Sequence, residues 1–272
     1  MTSPIGLFDS GIGGLTVAQQ ILKVQPGASL IYVADQANVP YGGRPLSEVR
    51  NFAEAISEAL VLRGCSTIVM ACNISSAVAL PHVRIRFPDV QTLGMITAGA
   101  LSANELTQNG RVGVLATEGT VRSGAYTQTL QAINPEIQVM EAPCPEFVPL
   151  IEEGDVNDIQ AETAACKYLS KLDGFEADTV ILGCTHYPLL LPLLQRLRPN
   201  IQFLDPAIPT ALQLHSDYSD KSDLPNSLHQ LYTTGCITHF EEQLASLFPN
   251  ILHKSQILQA CWFNGKIILP AS

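Results

Sequence analysis

Short apolar, β-branched runs alternate along this chain with longer stretches of helical period. The runs at 5–8, 30–34, 66–71, 91–96, 112–116, 137–142, 179–183 and 201–204 predict strands, and another lies near 230–234. Between the second and third runs, Leu46, Val49, Ala53, Ile56 and Leu60 recur at a spacing that puts them on one face of a helix. Strands alternating with helices predict an α/β fold, each sheet mostly parallel and flanked by helices. The segment 216–227 carries Asp217, Asp220, Lys221, Asp223 and Pro225 without any period, and it predicts an exposed loop.

Laid against itself, the chain shows one pattern twice. Ile5-Gly6-Leu7-Phe8-Asp9-Ser10 matches Val112-Gly113-Val114-Leu115-Ala116-Thr117 in residue type, and both lead into a glycine-containing turn. Cys72 stands 62 residues after Ser10, and Cys184 stands 67 after Thr117. Their surroundings match as well: Thr67-Ile68-Val69-Met70-Ala71-Cys72-Asn73 against Thr179-Val180-Ile181-Leu182-Gly183-Cys184-Thr185. A βαβ-type unit used twice accounts for both matches, with a cysteine at the carboxyl end of the corresponding strand in each copy.

Composition narrows the function. With 46% apolar and 15% charged residues in 272, the chain can bury a core of about two domains. A net charge of −10 opposes a phosphate-tracking surface, so nucleic acid is not an expected partner. No run approaches the roughly 20 apolar residues that cross a bilayer, and the start lacks the basic and apolar regions of a secretion signal. No membrane partner and a cytoplasmic location are expected. The seven cysteines are odd in number and include no Cys-x-x-Cys pair, which opposes a disulfide framework and a zinc site. The histidines outside the repeat, His82, His215, His229, His239 and His253, show no metal-ligand spacing, so no metal is expected.

Ligands of open α/β sheets gather outside the carboxyl ends of the strands, so two such units face to face would bring Cys72 and Cys184 to opposite walls of one cleft. Two matched acid/base groups, one per wall, suit a reaction that takes a proton from one face of a carbon and returns another to the opposite face: racemisation or epimerisation. A single-cysteine decarboxylase or hydrolase would need only one of them. The run Gly11, Gly13, Gly14 has Thr16 where a dinucleotide fingerprint has its third glycine, which favours a tight turn admitting a small substrate over phosphate binding. Cys65, Cys144, Cys166, Cys236 and Cys261 have no matching stations and are expected in the core.

Phe8-Asp9-Ser10-Gly11-Ile12-Gly13-Gly14, Val39-Pro40-Tyr41-Gly42, Ala71-Cys72-Asn73 and Leu182-Gly183-Cys184-Thr185-His186-Tyr187-Pro188 resemble, in order and spacing, the signature segments of the glutamate racemase family, within the aspartate/glutamate racemase superfamily. The resemblance extends through Ala116-Thr117-Glu118-Gly119-Thr120, the segment from Phe147 to Gly154, and Thr234-Gly235 with Phe240. It implies an isomerase without cofactor that interconverts L- and D-glutamate and supplies D-glutamate for peptidoglycan. It further implies Cys184 as the base toward the L form and Cys72 toward the D form, with Asp9 assisting Cys72, His186 assisting Cys184, and Glu152 near His186. Ser10, Pro40, Tyr41, Gly42, Asn73, Thr117, Thr120 and Thr185, with Asp9 and His186, fall at its substrate-contact positions. Backbone and hydroxyl donors there can hold carboxylates without a basic field.

The resemblance also implies a discontinuous first domain, 1–97 with 208–272, around a second at 98–207, and a homodimer is the candidate assembly. One position departs from it: the family has Thr where this chain has Ile74, followed by Ser75 and Ser76. Losing a hydrogen bond to a charged group typically costs about 1.5–3 kcal/mol. Either Ser75 or a backbone N–H compensates, binding is weaker, or the preferred substrate is aspartate or a related acid. A glutamate-binding relative without turnover is the alternative from outside catalysis. Asp9 as a plain helix cap, His186 as a structural histidine and Glu152 as a solvated carboxylate are the ordinary readings of those residues.

Overall fold

A computed structural model describes residues 3–154, 156, 158–217 and 228–270 of the chain. Its strands are β1 (Ile5–Asp9), β2 (Leu30–Ala34), β3 (Thr67–Met70), β4 (Gln91–Gly94), β5 (Arg111–Ala116), β6 (Gln138–Pro143), β7 (Thr179–Gly183), β8 (Gln202–Leu204), β9 (His229–Thr233), β10 (Ser255–Gln259), β11 (Cys261–Phe263) and β12 (Lys266–Ile268). They build a six-stranded sheet, β10-β9-β2-β1-β3-β4, and a four-stranded sheet, β6-β5-β7-β8, beside a small β11-β12 hairpin. Every pairing in the two large sheets is parallel. Strands such as β1 and β7 are buried at every position, the condition for a sheet covered on both faces.

The repeat in the sequence is a repeat in topology. The order β2-β1-β3-β4 in one sheet is the order β6-β5-β7-β8 in the other, so β1 corresponds to β5 and β3 to β7. In each, the chain leaves the central strand toward one side and returns on the other, and the crevice this opens at the carboxyl ends is where open α/β sheets bind ligands. Cys72 and Cys184 closely follow β3 and β7 and therefore sit at these two crevices.

The helix Leu46–Leu62 buries Val49, Ala53, Ile56 and Leu60, three of them in the core of the first sheet, as its spacing predicts. Two expectations need adjustment. The strand expected over 91–96 stops at Gly94, because Met95 and Ile96 open the helix Met95–Leu106 that leads into the second sheet. The helix Ala207–Asp217 takes in the first two residues of the expected loop; the rest of that loop, 218–227, lies outside the described residues. After it the chain returns to the first sheet as β9 and β10. No described helix is long and apolar enough to cross a membrane.

Candidate active site

A cavity of about 650 Å³ lies where the carboxyl ends of the two sheets face each other. It is lined by Asp9, Ser10, Pro40, Tyr41, Gly42, Cys72, Asn73, Ile74, Thr117, Thr120, Glu152, Cys184, Thr185 and His186. Every site residue named from the sequence is thus in one place, with β1 and β3 supplying one wall and β5 and β7 the other. No Lys or Arg is among the described lining residues, so carboxylates entering here would meet hydroxyl, amide and N–H donors.

The first wall is organised by Asp9, the last residue of β1 and only 1% exposed. Its Oδ2 accepts from the N–H groups of Gly11 (3.1 Å) and Gly14 (3.2 Å), so it steadies the turn into the helix Leu15–Val24 as well as facing the cavity. Burial raises the Asp9 carboxyl above its usual pKa, against the lowering effects of the His186 charge and the two N–H bonds. Burial, reinforced by the Asp9 charge, likewise pushes the Cys72 thiol up to about 12.

On the second wall, His186 is buried between Cys184 and Glu152. Its Nδ1 lies 3.9 Å from the Cys184 sulfur, and its Nε2 lies 3.1 Å from Glu152 Oε1. Burial alone would lower the imidazole pKa; the hydrogen bonds to Cys184 and Glu152 and the charges of Cys184 and Asp9 outweigh it and push the value up to about 10. The hydrogen bond from His186 holds the Glu152 carboxyl below its usual range, against its partial burial. A charged imidazolium thus stands beside the Cys184 sulfur, whereas the charged group acting on Cys72 is the Asp9 carboxyl.

The pair titrates at both ends. Glu152 has a depressed folded pKa, so its contribution to stability is present above the unfolded 4.5 and is lost as pH falls through the folded value. His186 has a raised one, so its contribution is complete below 6.5 and is lost as pH rises through about 10. In the variant Glu152→Gln, the alkaline limb of the pH–activity profile is expected to move about one unit lower. That is less than a fully buried charged bond would give, because the Glu152 side chain is 37% exposed.

Several bonds join the walls. Thr185 donates to both Asp9 oxygens at 3.4 Å, and Thr16 donates to the Thr185 carbonyl at 3.0 Å. Thr16, where a dinucleotide fingerprint would have glycine, thus ties one wall to the other. The fully buried Tyr126 donates to Asn73 Oδ1 at 2.6 Å, leaving the Asn73 amide nitrogen for the cavity. Tyr126→Phe would leave that oxygen unpaired and is expected to lower the unfolding free energy by about 1–3 kcal/mol in urea titrations.

Gly13 permits the close approach of the walls. A Cβ at this position would stand 2.5 Å from both His186 Nδ1 and Thr185 Oγ1. At Gly119, a Cβ would meet Ile74 Cδ1 at 2.2 Å. Ile74 is 3% exposed and packs with Tyr41, Val49 and Cys72, so it serves as core and as cavity wall at once.

Sequence reasoning missed Cys144, Val148, Pro149, Glu153, His239 and Gln243, which also line the cavity. The period Ile237, Phe240, Leu244 could have flagged the helix that carries His239 and Gln243, but not its return to the site. Of the five cysteines expected in the core, Cys65 and Cys144 are buried, whereas Cys166, Cys236 and Cys261 are exposed. Cys166 lies in the helix Ile159–Phe175, Cys236 precedes the helix Ile237–Leu247, and Cys261 opens β11. No group of three or more metal-binding side chains occurs among the described residues.

Comparison with known proteins shows the family and the fold of this chain. Residues 15–213 match the family model for Asp/Glu/hydantoin racemase. Glutamate racemase of Corynebacterium diphtheriae is 47% identical over 193 residues, 71% of this chain and 72% of that protein. Glutamate racemase of Shouchella clausii is 39% identical over 255 residues, 92% of each. The crystal structure of glutamate racemase from Francisella tularensis, in complex with D-glutamate, superposes with a TM-score of 0.87 at 30% identity, covering 96% of this chain and 97% of that one. With the family model matched over most of its length and relatives this similar, the chain belongs to the Asp/Glu/hydantoin racemase family and groups with its glutamate racemases.

Proposed function

We propose that this chain interconverts L- and D-glutamate by two-thiol proton transfer, with no cofactor in the reaction. The observation that carries the reading is the pair Cys72 and Cys184 at equivalent strand ends on facing walls of one cavity, each beside its own acid/base partner. The Cys184 thiolate takes the α-hydrogen of L-glutamate as a proton, and the bonding pair stays on Cα. The Cys72 thiol gives its proton to the opposite face, forming D-glutamate and leaving a thiolate. D-glutamate is converted by the same steps with the roles exchanged.

One turnover in either direction leaves the two sulfurs with exchanged protonation, so the enzyme must reset. His186 links Cys184 to Glu152, which is partly exposed, and this chain of groups supports proton exchange with solvent from that wall. Asp9, on the wall that carries Cys72, serves that thiol. The hydroxyl of Ser10, one hydroxyl of the Thr117–Thr120 pair and the Asn73 amide serve as donors for the two substrate carboxylates, while the Thr185 hydroxyl donates to Asp9. The lobes are 1–97 with 208–272 and 98–207. D-glutamate made in the cytoplasm would supply peptidoglycan synthesis, and a homodimer is the assembly that sedimentation should find.

Ile74 favours one second reading, a preference for aspartate or a related acid, because it lines the cavity with an ethyl group where the resembled family has a threonine hydroxyl. Chiral separation of the products from L-glutamate and L-aspartate, with no cofactor added, decides between them. Glutamate is expected to turn over faster; a clear preference for aspartate would overturn the substrate assignment.

A further inference from the structure

Asp35 follows β2, is completely buried, and does not line the cavity. Its carboxyl oxygens accept from Asn38 Nδ2 (3.1 and 3.0 Å), Tyr41 Oη (2.6 Å), Thr234 Oγ1 (2.8 Å) and Trp262 Nε1 (2.7 Å). Among the described residues no Lys, Arg or His forms a salt bridge with it. A buried carboxylate without a counter-ion is costly unless neutral donors saturate it, and here they do.

The donors come from two places. Asn38 and Tyr41 belong to the stretch whose residues 39–43 form one lip of the cavity, while Thr234 and Trp262 come from the C-terminal segment. Thr234 also accepts from the Ala37 N–H at 2.9 Å, and Gln36 bonds to Thr233 and Gln243 at 2.8 Å each. Rings extend the same link: Tyr41 and Phe52 lie 5.6 Å apart, and Phe52 and Trp262 lie 5.3 Å apart. Because the Tyr41 hydroxyl is committed to Asp35, its ring and backbone are what face a ligand.

We propose that Asp35 is a positioning residue for substrate binding, clamping the lip at 39–43 to the C-terminal segment through Tyr41 and Trp262. This inference rests on the glutamate reading of the site. Asp35 touches neither thiol, so its loss should loosen ground-state and transition-state binding together and raise KM with little change in kcat.

The test is the KM and kcat of two variants on glutamate, alongside their melting temperatures. Asp35→Asn keeps the size of the side chain but turns an NH2 group toward the donors. Trp262→Phe keeps an aromatic ring near Phe52 and removes the Nε1 donor with the five-membered ring that carries it, so it serves where the first variant folds poorly. Asp35→Asn is expected to raise KM at least about tenfold with kcat within about threefold of wild type, and Trp262→Phe to raise KM in the same direction by less. A KM within about twofold of wild type in both folded variants, whatever their melting temperatures, would overturn the positioning role. Absence of turnover in the wild type would instead count against the glutamate reading.

Discussion

Replacing either Cys72 or Cys184 by Ser is expected to lower racemisation of glutamate by at least about 10³-fold in both directions, the scale of a lost general acid or base. A hydroxyl is a far weaker acid than a thiol, so a serine on either wall neither holds the anion that takes the α-proton nor releases a proton to the carbanion. Both cysteines are buried and the exchange of sulfur for oxygen is small, so the fold should persist, which far-UV circular dichroism checks. The two lesions act on different steps but break the same cycle, and kcat is the quantity to compare. Racemisation that survived at near wild-type rate in one of the two would mean that a single base serves both faces.

Gly13→Ala is expected to be the most damaging change outside the thiols. The added methyl would lie 2.5 Å from His186 Nδ1 and Thr185 Oγ1, far inside contact distance, so the walls must part or the His186 ring must turn. Either response disturbs the 3.9 Å approach of His186 to the Cys184 sulfur and the Thr185 bonds to Asp9. Overpacking of this kind costs about 1–3 kcal/mol of stability. A displacement of about 1 Å among reacting groups costs on the order of 10²-fold in rate. Equilibrium unfolding and kcat/KM on the same preparation separate the two losses, and normal activity in the Gly13→Ala variant would show that the walls are not held at this contact.

The two thiols were legible in the sequence because local rules place them, whereas the roles of Asp9 and His186 came from the family resemblance. A β-branched run sets a buried strand, the residues after it fall at the carboxyl edge, and the repeat places the same residue type at both edges. Glu152 and the hydroxyls came from the family resemblance, since nothing in their spacing points to the cavity. His239, Gln243 and the Asp35 clamp were not placed at the site from the sequence. They depend on the return of the chain to the first sheet after 228, which the family resemblance implied but whose side-chain contacts periodicity does not encode. The pattern of β10, Ser-Gln-Ile-Leu-Gln, carries no strand signal either, because it is a half-buried edge strand with polar residues at both ends. By composition the Gly11–Gly14 turn makes room for a small substrate, whereas in the structure Gly13 makes room for His186 and Thr185 of the facing wall.

In the proposed mechanism two thiols move the α-proton of glutamate from one face to the other. Proton NMR of L- and D-glutamate in deuterium oxide, with the purified wild-type chain and no added cofactor, tests it most directly. The α-proton signal of both enantiomers is expected to decay while the other enantiomer, deuterated at Cα, appears. Folded enzyme that leaves the α-proton of both enantiomers in place would rule out two-thiol transfer on glutamate.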